Sequence, residues 1–310
     1  MVPLIGVRIP TPEPPILADS HPHPLLACAL LGIVVMPDPD EFESAQESFF
    51  EPDEAPVFEV IEDRSNSPFL ITCDHAGRQL PRSLGSLGLP ESELLRHIGW
   101  DIGASGVARF LAAELGAFAI LQTYSRLAID CNRPLGVPSS IATISEDTMI
   151  PGNRDVGPDE AGRRARAIFT PYHERIRHEL QRRTRTKQAT ALVAMHSFTP
   201  TFQGVARPWH VGVLYNRDTR LARELLALLR RDPALEVGDN EPYAVSDATD
   251  YGVVEHGERR GIPYVEIEVR QDLLSDEAHQ AVWARRFADL LPRARAMFDD
   301  TSFTRSDQPV

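Results

Sequence analysis

The chain has 310 residues, 42% of them hydrophobic and 25% charged, which suits one large globular domain or two small ones. Its net charge of −13 argues against a general nucleic-acid-binding surface, because phosphate contacts need a basic face. Lys187 is the only lysine and no Gly-x-Ser-x-Gly elbow occurs, which excludes a Walker-type phosphate loop, a buried Schiff-base lysine and that serine-hydrolase signature.

Residues 1–56 hold 11 of the 26 prolines, and residues 38–54 hold eight acidic side chains and no basic one. This composition predicts a disordered or loosely packed extension, within which Met36 offers an alternative start. The longest apolar run, Leu25 to Met36, has 12 residues, too few to span a bilayer. Asp19 and Glu13 on its flank argue against a secretory leader. Cys28, Cys73 and Cys131 form no Cys-x-x-Cys pair, so neither a disulfide framework nor a thiolate zinc site is expected, and a cytoplasmic location follows.

A single α/β domain is expected over residues 57–298, followed by a polar tail at 299–310. Val57–Glu62 and Phe69–Cys73 read as strands. Leu94, Leu95, Ile98, Val107, Phe110, Leu111 and Leu115 recur at helical spacing, which predicts a helix over Glu91–Gly116 stopped by Gly116. Ala119–Tyr124 and Leu127–Cys131 read as strands. Asp159–Lys187 reads as a long helix with Ile168, Tyr172, Ile176 and Leu180 on one face. Nine basic residues and two glutamates lie between Arg163 and Lys187, and they read as its solvated face. Strands at Ala191–Met195, Val211–Tyr215 and Tyr264–Val269, with helices at Thr219–Arg231 and Asp276–Phe298, complete the pattern. The alternation predicts an α/β sandwich around a mostly parallel sheet.

Two of the apolar runs end in a histidine, His75 after Cys73 and His196 after Met195. Ligands bind beyond the carboxyl ends of parallel strands, and two imidazoles placed there suit a metal site. Asp101 interrupts a helical pattern in Ile98–Gly103. It reads either as a helix N-cap or as the carboxylate completing a two-histidine, one-carboxylate zinc site. Alternation along Tyr264–Asp272 places Glu266, Glu268 and Arg270 on one face of a strand. That face is either the wet side of an edge strand or a general base with an arginine that orients it or contacts substrate. Arg126 and Arg133 flank a short apolar run ending in Asp130, Asn132 and Arg133. Arginine forks and an asparagine suit a substrate carboxylate, although Asn-Arg-Pro also makes an ordinary turn. His210 and His256 read as plain surface or hydrogen-bonded loop histidines. Asn153–Asp155 reads as a polar loop that can close over a site, and Tyr215 as a further candidate for the same crevice.

Six segments in this order resemble the N-formylglutamate amidohydrolase family: Cys73–Gly77, His97–Ala104, Ser125–Pro134, Ile150–Asp155, Met195–Pro200 and Ile267–Leu273. The family is similar in turn to zinc carboxypeptidases and aspartoacylases. The resemblance implies a zinc-carboxypeptidase-like three-layer sandwich with a mixed, mostly parallel sheet and one zinc per chain. It implies hydrolysis of the amide of a small acidic N-formyl or N-acyl amino acid such as N-formylglutamate, with no nucleic-acid or membrane partner. Carried over by motif, His75 and His196 would hold zinc and Glu268 would be the base, with Glu266 as its alternative. Arg126 would steady the reacting oxyanion, and Asn132, Arg133 and Arg270 would bind substrate. Position 78 is Arg, so the His-x-x-Glu ligand pair of the carboxypeptidases is absent. The third ligand falls to Asp101 or Asp74, and Asp101 is preferred because adjacent residues on an extended chain point apart. Asp74-His75-Ala76-Gly77 stands where the family usually has Pro-His-Ser-Gly, which marks a divergent branch. Two other classes remain open on this reading: a non-catalytic binding or regulatory protein on the same scaffold, and a metal-free hydrolase using Glu266 and Glu268 as a carboxylate pair.

Overall fold

The computed structural model describes residues 49–63 and 65–306. The expected extension up to residue 48, with the apolar run and Met36, lies outside the described residues. Residues 49–56 already pack on the domain: Phe49 is buried, Phe50 stacks on Tyr124, and the Tyr124 hydroxyl donates to the Ala55 carbonyl. The packed chain therefore starts ahead of Val57.

In chain order the main elements are β1 (Phe58–Ile61), β2 (Phe69–Cys73), α1 (Ala104–Leu115), β3 (Phe118–Gln122), α2 (Thr170–Arg185), β4 (Ala191–Phe198) and β5 (Val211–Leu214). They continue with α3 (Arg220–Leu229), β6 (Val237–Asp239), α4 (Gly252–His256), β7 (Tyr264–Arg270) and α5 (Glu277–Ser306). The seven strands form one sheet in the order β1-β3-β2-β4-β7-β5-β6. Strands β3, β2, β4 and β7 run parallel, β1 pairs antiparallel with β3, and β5 pairs antiparallel with β7 and parallel with β6.

Side-chain alternation sorts the core into two halves, one on each face of this sheet. Ile71, Val193, Met195, Val265 and Ile267 pack against α1, α3 and α5. Leu70, Ile120, Leu192, Ala194 and Tyr264 pack against α2 and α4. The result is a three-layer α/β sandwich with a mixed, mostly parallel sheet. The apolar runs of the central strands are buried on both faces, as parallel strands require. No helix among the described residues is long and apolar enough to cross a membrane.

Several elements depart from the periodic pattern. The expected helix over Glu91–Gly116 is broken. A short turn at Glu91–Leu94 is followed by irregular chain, and the helix proper starts at Ala104. Gly103 allows the break, since its φ of +82° is the left-handed region that a side chain avoids. Gly116 ends α1 in the same region, as expected from the sequence. The polar tail expected from residue 299 is helical as far as Ser306, as part of α5.

Leu127–Cys131 is no strand. It is a buried irregular segment whose carbonyls are met by side chains instead of a neighbouring strand. Asn153 Nδ2 donates to Leu127 O at 2.9 Å, Arg164 Nη1 to Ala128 O at 3.0 Å, and His173 Nε2 to Cys131 O at 2.8 Å. A buried backbone must find partners, and here they come from 20 or more residues downstream.

The basic face of α2 is also not wholly solvated. Arg164, in the helical turn Pro158–Arg164 that leads into it, is buried, and so is Arg183. Arg183 donates to the carbonyls of Ser67 and Phe69 and pairs with Glu179, clamping α2 to the start of β2.

Candidate metal centre

The site forms where β2, β4 and β7 lie side by side. Strand β4 runs three residues beyond its expected end, so His196 sits inside the strand and not after it. The parallel register pairs His196 with Glu268 and Ala194 with Glu266. Because side chains alternate, His196, Glu266 and Glu268 all face the α2/α4 layer. His75 reaches the same place from the turn after β2, and Asp101 from the irregular chain ahead of α1.

His75, Asp101 and His196 are all buried, and one potential ligand atom from each lies within 4.8 Å of the others. Asp101 Oδ2 is 2.8 Å from His196 Nδ1 and 3.5 Å from His75 Nδ1. The Nε2 of His75 lies 2.7 Å from Asp130 Oδ1. That contact places the ring proton on Nε2 and leaves the Nδ1 lone pair aimed at Asp101, buried and without a hydrogen bond. A carboxylate behind an imidazole is the usual outer partner of a metal-binding histidine. Two imidazole nitrogens and one carboxylate are the donor set of a three-ligand catalytic zinc site. The residues present thus fit a metal ion.

Asp101 does not cap a helix. Its Oδ1 pairs with Arg126 and its Oδ2 also accepts from the Ser197 amide. Burial opposes charge on Asp101, but Arg126, His75 and His196 outweigh it and hold its carboxyl well below the usual range. Asp130 is likewise held down, against burial, chiefly by His75. Asp74 points elsewhere: Tyr172 donates to its Oδ1, and its Oδ2 is 4.0 Å from His196 Nε2. Burial opposes a charge on His196, yet Glu266, Asp101 and Glu268 push it up to about 10. The acidic surroundings of His196 thus favour positive charge at this point, as a bound metal ion would supply. Burial pushes Glu266 up to about 7 and Glu268 well above the carboxylate range.

These groups open on a cavity of about 420 Å³, which Arg126, Asn132 and Arg133 also line. Asn132 Oδ1 is already engaged, accepting from the amides of Tyr251 and Gly252 at the start of α4. Three sequence candidates fall outside. Arg270 pairs with Asp272 and donates to the carbonyls of Arg207, Pro208 and Trp209, because the last residue of β7 has already turned to the rim. Tyr215 donates to Asp239, and Asn153 braces Leu127–Cys131.

Other residues gained weight only from the structure. Asp130 was visible as a strand-end acid but not as the partner of His75. His256 is hydrogen-bonded but lies neither in a loop nor at the surface: it ends α4 fully buried, stacked on the fully buried His173 with Nε2 3.0 Å from His173 Nδ1. Asp250, Phe202 and Tyr243 line the cavity without any local signal in the sequence.

Residues 67–275 match the sequence profile of the N-formylglutamate amidohydrolase family. An N-formylglutamate deformylase of Pseudomonas aeruginosa is 30% identical over 129 residues, 38% of this chain and 47% of that protein, so the chain spans about half the length of this curated relative. A gene product of Agrobacterium tumefaciens of known structure is 34% identical with a TM-score of 0.78, over 81% of this chain and 99% of that one. The N-formylglutamate amidohydrolase of Ralstonia eutropha shares the fold at 18% identity, with a TM-score of 0.60 over 76% and 98%. With the profile running from just before β2 to just past β7 and taking in the whole cluster, the chain belongs to the N-formylglutamate amidohydrolase family.

Proposed function

We propose that the chain is a zinc-dependent amidohydrolase that cleaves the amide of an N-formyl or other N-acyl amino acid, giving the free acid and the amino acid. The observation that carries this reading is the free Nδ1 of His75, set by Asp130 and facing Asp101 and His196, with Glu268 in register beside His196. His75, Asp101 and His196 would hold the ion. Zinc there would act as a Lewis acid, polarising the acyl carbonyl and a water molecule.

Glu268 is the proton carrier. Burial alone keeps its carboxyl protonated, and the charge of a bound metal ion would offset that; the carboxylate then takes the proton of the attacking water as the C–O bond forms and gives it to the leaving nitrogen as the amide C–N bond breaks. Glu266, near neutral in its proton affinity, holds a second proton close by. Arg126, locked to Asp101, faces the cavity where negative charge develops on the acyl oxygen. Arg133, with Asn132 beside it, receives the substrate carboxylate and so positions the scissile bond.

Metal analysis of the purified protein should find about one zinc per chain, as one three-ligand site requires. His196→Ala should lose both the metal and the release of acid from N-formyl amino acids. Full activity in a metal-free preparation would overturn the reading, and binding of these compounds with no acid released would make the chain a binding protein.

A further inference from the structure

One wall of the cavity takes no part in that chemistry. Phe198, Phe202 and Tyr243 line it beside the charged groups. Phe198 ends β4, Phe202 sits on a small hairpin of Thr201–Phe202 and Val205–Ala206, and Tyr243 follows β6. Arg207 binds the three rings together. Its guanidinium carbon is 4.6 Å from the centre of Phe202, 4.7 Å from Tyr243 and 5.9 Å from Phe198, and Nη1 donates to the Tyr243 hydroxyl at 2.8 Å. Arg270 fixes the backbone behind it through the carbonyls of residues 207–209. Arg207 does not itself line the cavity, and among the described residues it pairs with no carboxylate, so its charge is turned to the ring faces.

Four carboxyl groups line the cavity, those of Asp101, Asp250, Glu266 and Glu268, against two arginines, Arg126 and Arg133. Arg126 pairs with Asp101 through one Nη and is otherwise placed for the acyl oxygen, and His97 lies 3.2 Å from Glu146. Arg133 donates through Nη1 to the carbonyls of Asn132 and Thr249, and the same nitrogen lies 3.5 Å from Asp250 Oδ1, so an acid of the lining already draws on its charge. A second substrate carboxylate would share the cavity with Asp250, Glu266 and Glu268, an excess of acid over the two arginines that line it. Burying an unpaired carboxylate is costly, whereas an aromatic ring gains by stacking on other rings.

We propose that Phe198, Phe202 and Tyr243 form a side-chain pocket that selects N-acyl amino acids with an aromatic side chain over those with an acidic one. The inference rests on the reading of the site as an N-acyl amino acid hydrolase and names its preferred substrate class. The test compares N-formyl-L-phenylalanine with N-formyl-L-glutamate on the zinc-loaded protein. The expected kcat/KM ratio is at least about tenfold in favour of phenylalanine, the discrimination an apolar pocket provides. Phe202→Ala should raise KM for the aromatic substrate and leave the value for N-formylglutamate nearly unchanged. Tyr243→Ser, at an exposed position, repeats the test should the first variant fold poorly.

A higher kcat/KM for N-formylglutamate, or equal losses on both substrates in the variants, would overturn the pocket. Calorimetric titration of both compounds into Glu268→Gln reads the same preference without turnover. Tighter binding of the aromatic compound there, with no hydrolysis by the unsubstituted protein, would sink the hydrolase reading and leave the pocket standing. Tighter binding of N-formylglutamate, or binding of neither, would overturn the pocket.

Discussion

Glu266 and Glu268 share a strand face and a buried setting, and each has an Oε2 atom without a hydrogen bond. What separates them is their neighbours. Glu268 is opposite His196, and after burial and His196 the charges it feels most are Asp101, Glu266 and Arg126. Glu266 lies one pair earlier, opposite Ala194, and after burial and His196 it feels Asp250, Asp74 and Arg133. Only Glu268 therefore looks onto the Asp101–Arg126 side of the cluster, where the acyl group would react. Glu268→Gln keeps the volume and removes the proton acceptor. It should retain the metal and lower kcat by about 10²–10⁴-fold, the usual worth of a general base. Glu266→Gln should cost far less. Metal content and kcat measured side by side decide the matter, and a larger loss in Glu266→Gln would exchange the two roles.

At the scale of elements, the strand β7 and the segment Leu127–Cys131 show what a sequence makes visible. The period of two along Tyr264–Arg270 is local, so the common face of Glu266 and Glu268 could be read directly from it. His75 and His196 were legible for the same reason, as polar residues closing apolar runs. Leu127–Cys131 has the same apolar look, but its hydrogen-bond partners are Asn153, Arg164 and His173, and no local pattern announces them. The same distance in sequence hid the pairing of His75 with Asp130.

The bracing of that segment is testable. Asn153 Nδ2 donates to the carbonyls of Leu127 and Ala142, while its Oδ1 accepts from Arg164. Asn153→Ala leaves buried groups unsatisfied at about 1–3 kcal/mol each, so a loss of that order or somewhat more is expected in chemical denaturation. Because the segment leads into Asn132 and Arg133, KM should rise more than kcat falls. A variant as stable as the parent would mean that the segment holds its shape without Asn153.

For the molecule as a whole, the layers followed from the alternation of strands and helices, whereas the strand order did not, since it depends on which distant strands pair. Buried polar groups were equally hidden. Nothing local distinguishes His173 and His256 from surface histidines, yet together they tie α2 and α4 to the loop that bears Asp130, Asn132 and Arg133. His173 Nε2 donates to the Cys131 carbonyl, so its Nδ1 must accept, and His256 Nε2 is the donor. Both rings are then neutral. Burial pushes His173 down to about 3 and His256 well below the usual range. In the unfolded chain both return to about 6.5. The unfolded state therefore binds more protons below that value, and stability rises with pH there. The contribution is complete above pH about 6.5 and is lost as pH falls toward about 3, at up to about 1.4 kcal/mol per pH unit per histidine. Glu266 acts in the opposite direction: raised to about 7, it stabilises at low pH and ceases to as pH rises through that value. Comparing the parent with His256→Phe cancels the cluster, which both proteins share. The variant should be less stable at pH 7, because His173 Nδ1 loses its donor. Its stability should also fall less steeply between pH 6 and pH 4, by up to about 1.4 kcal/mol per unit. Two denaturation curves that run parallel over that range would mean that His256 already carries a proton on both ring nitrogens in the folded protein, with the direction of the chain to Cys131 unchanged.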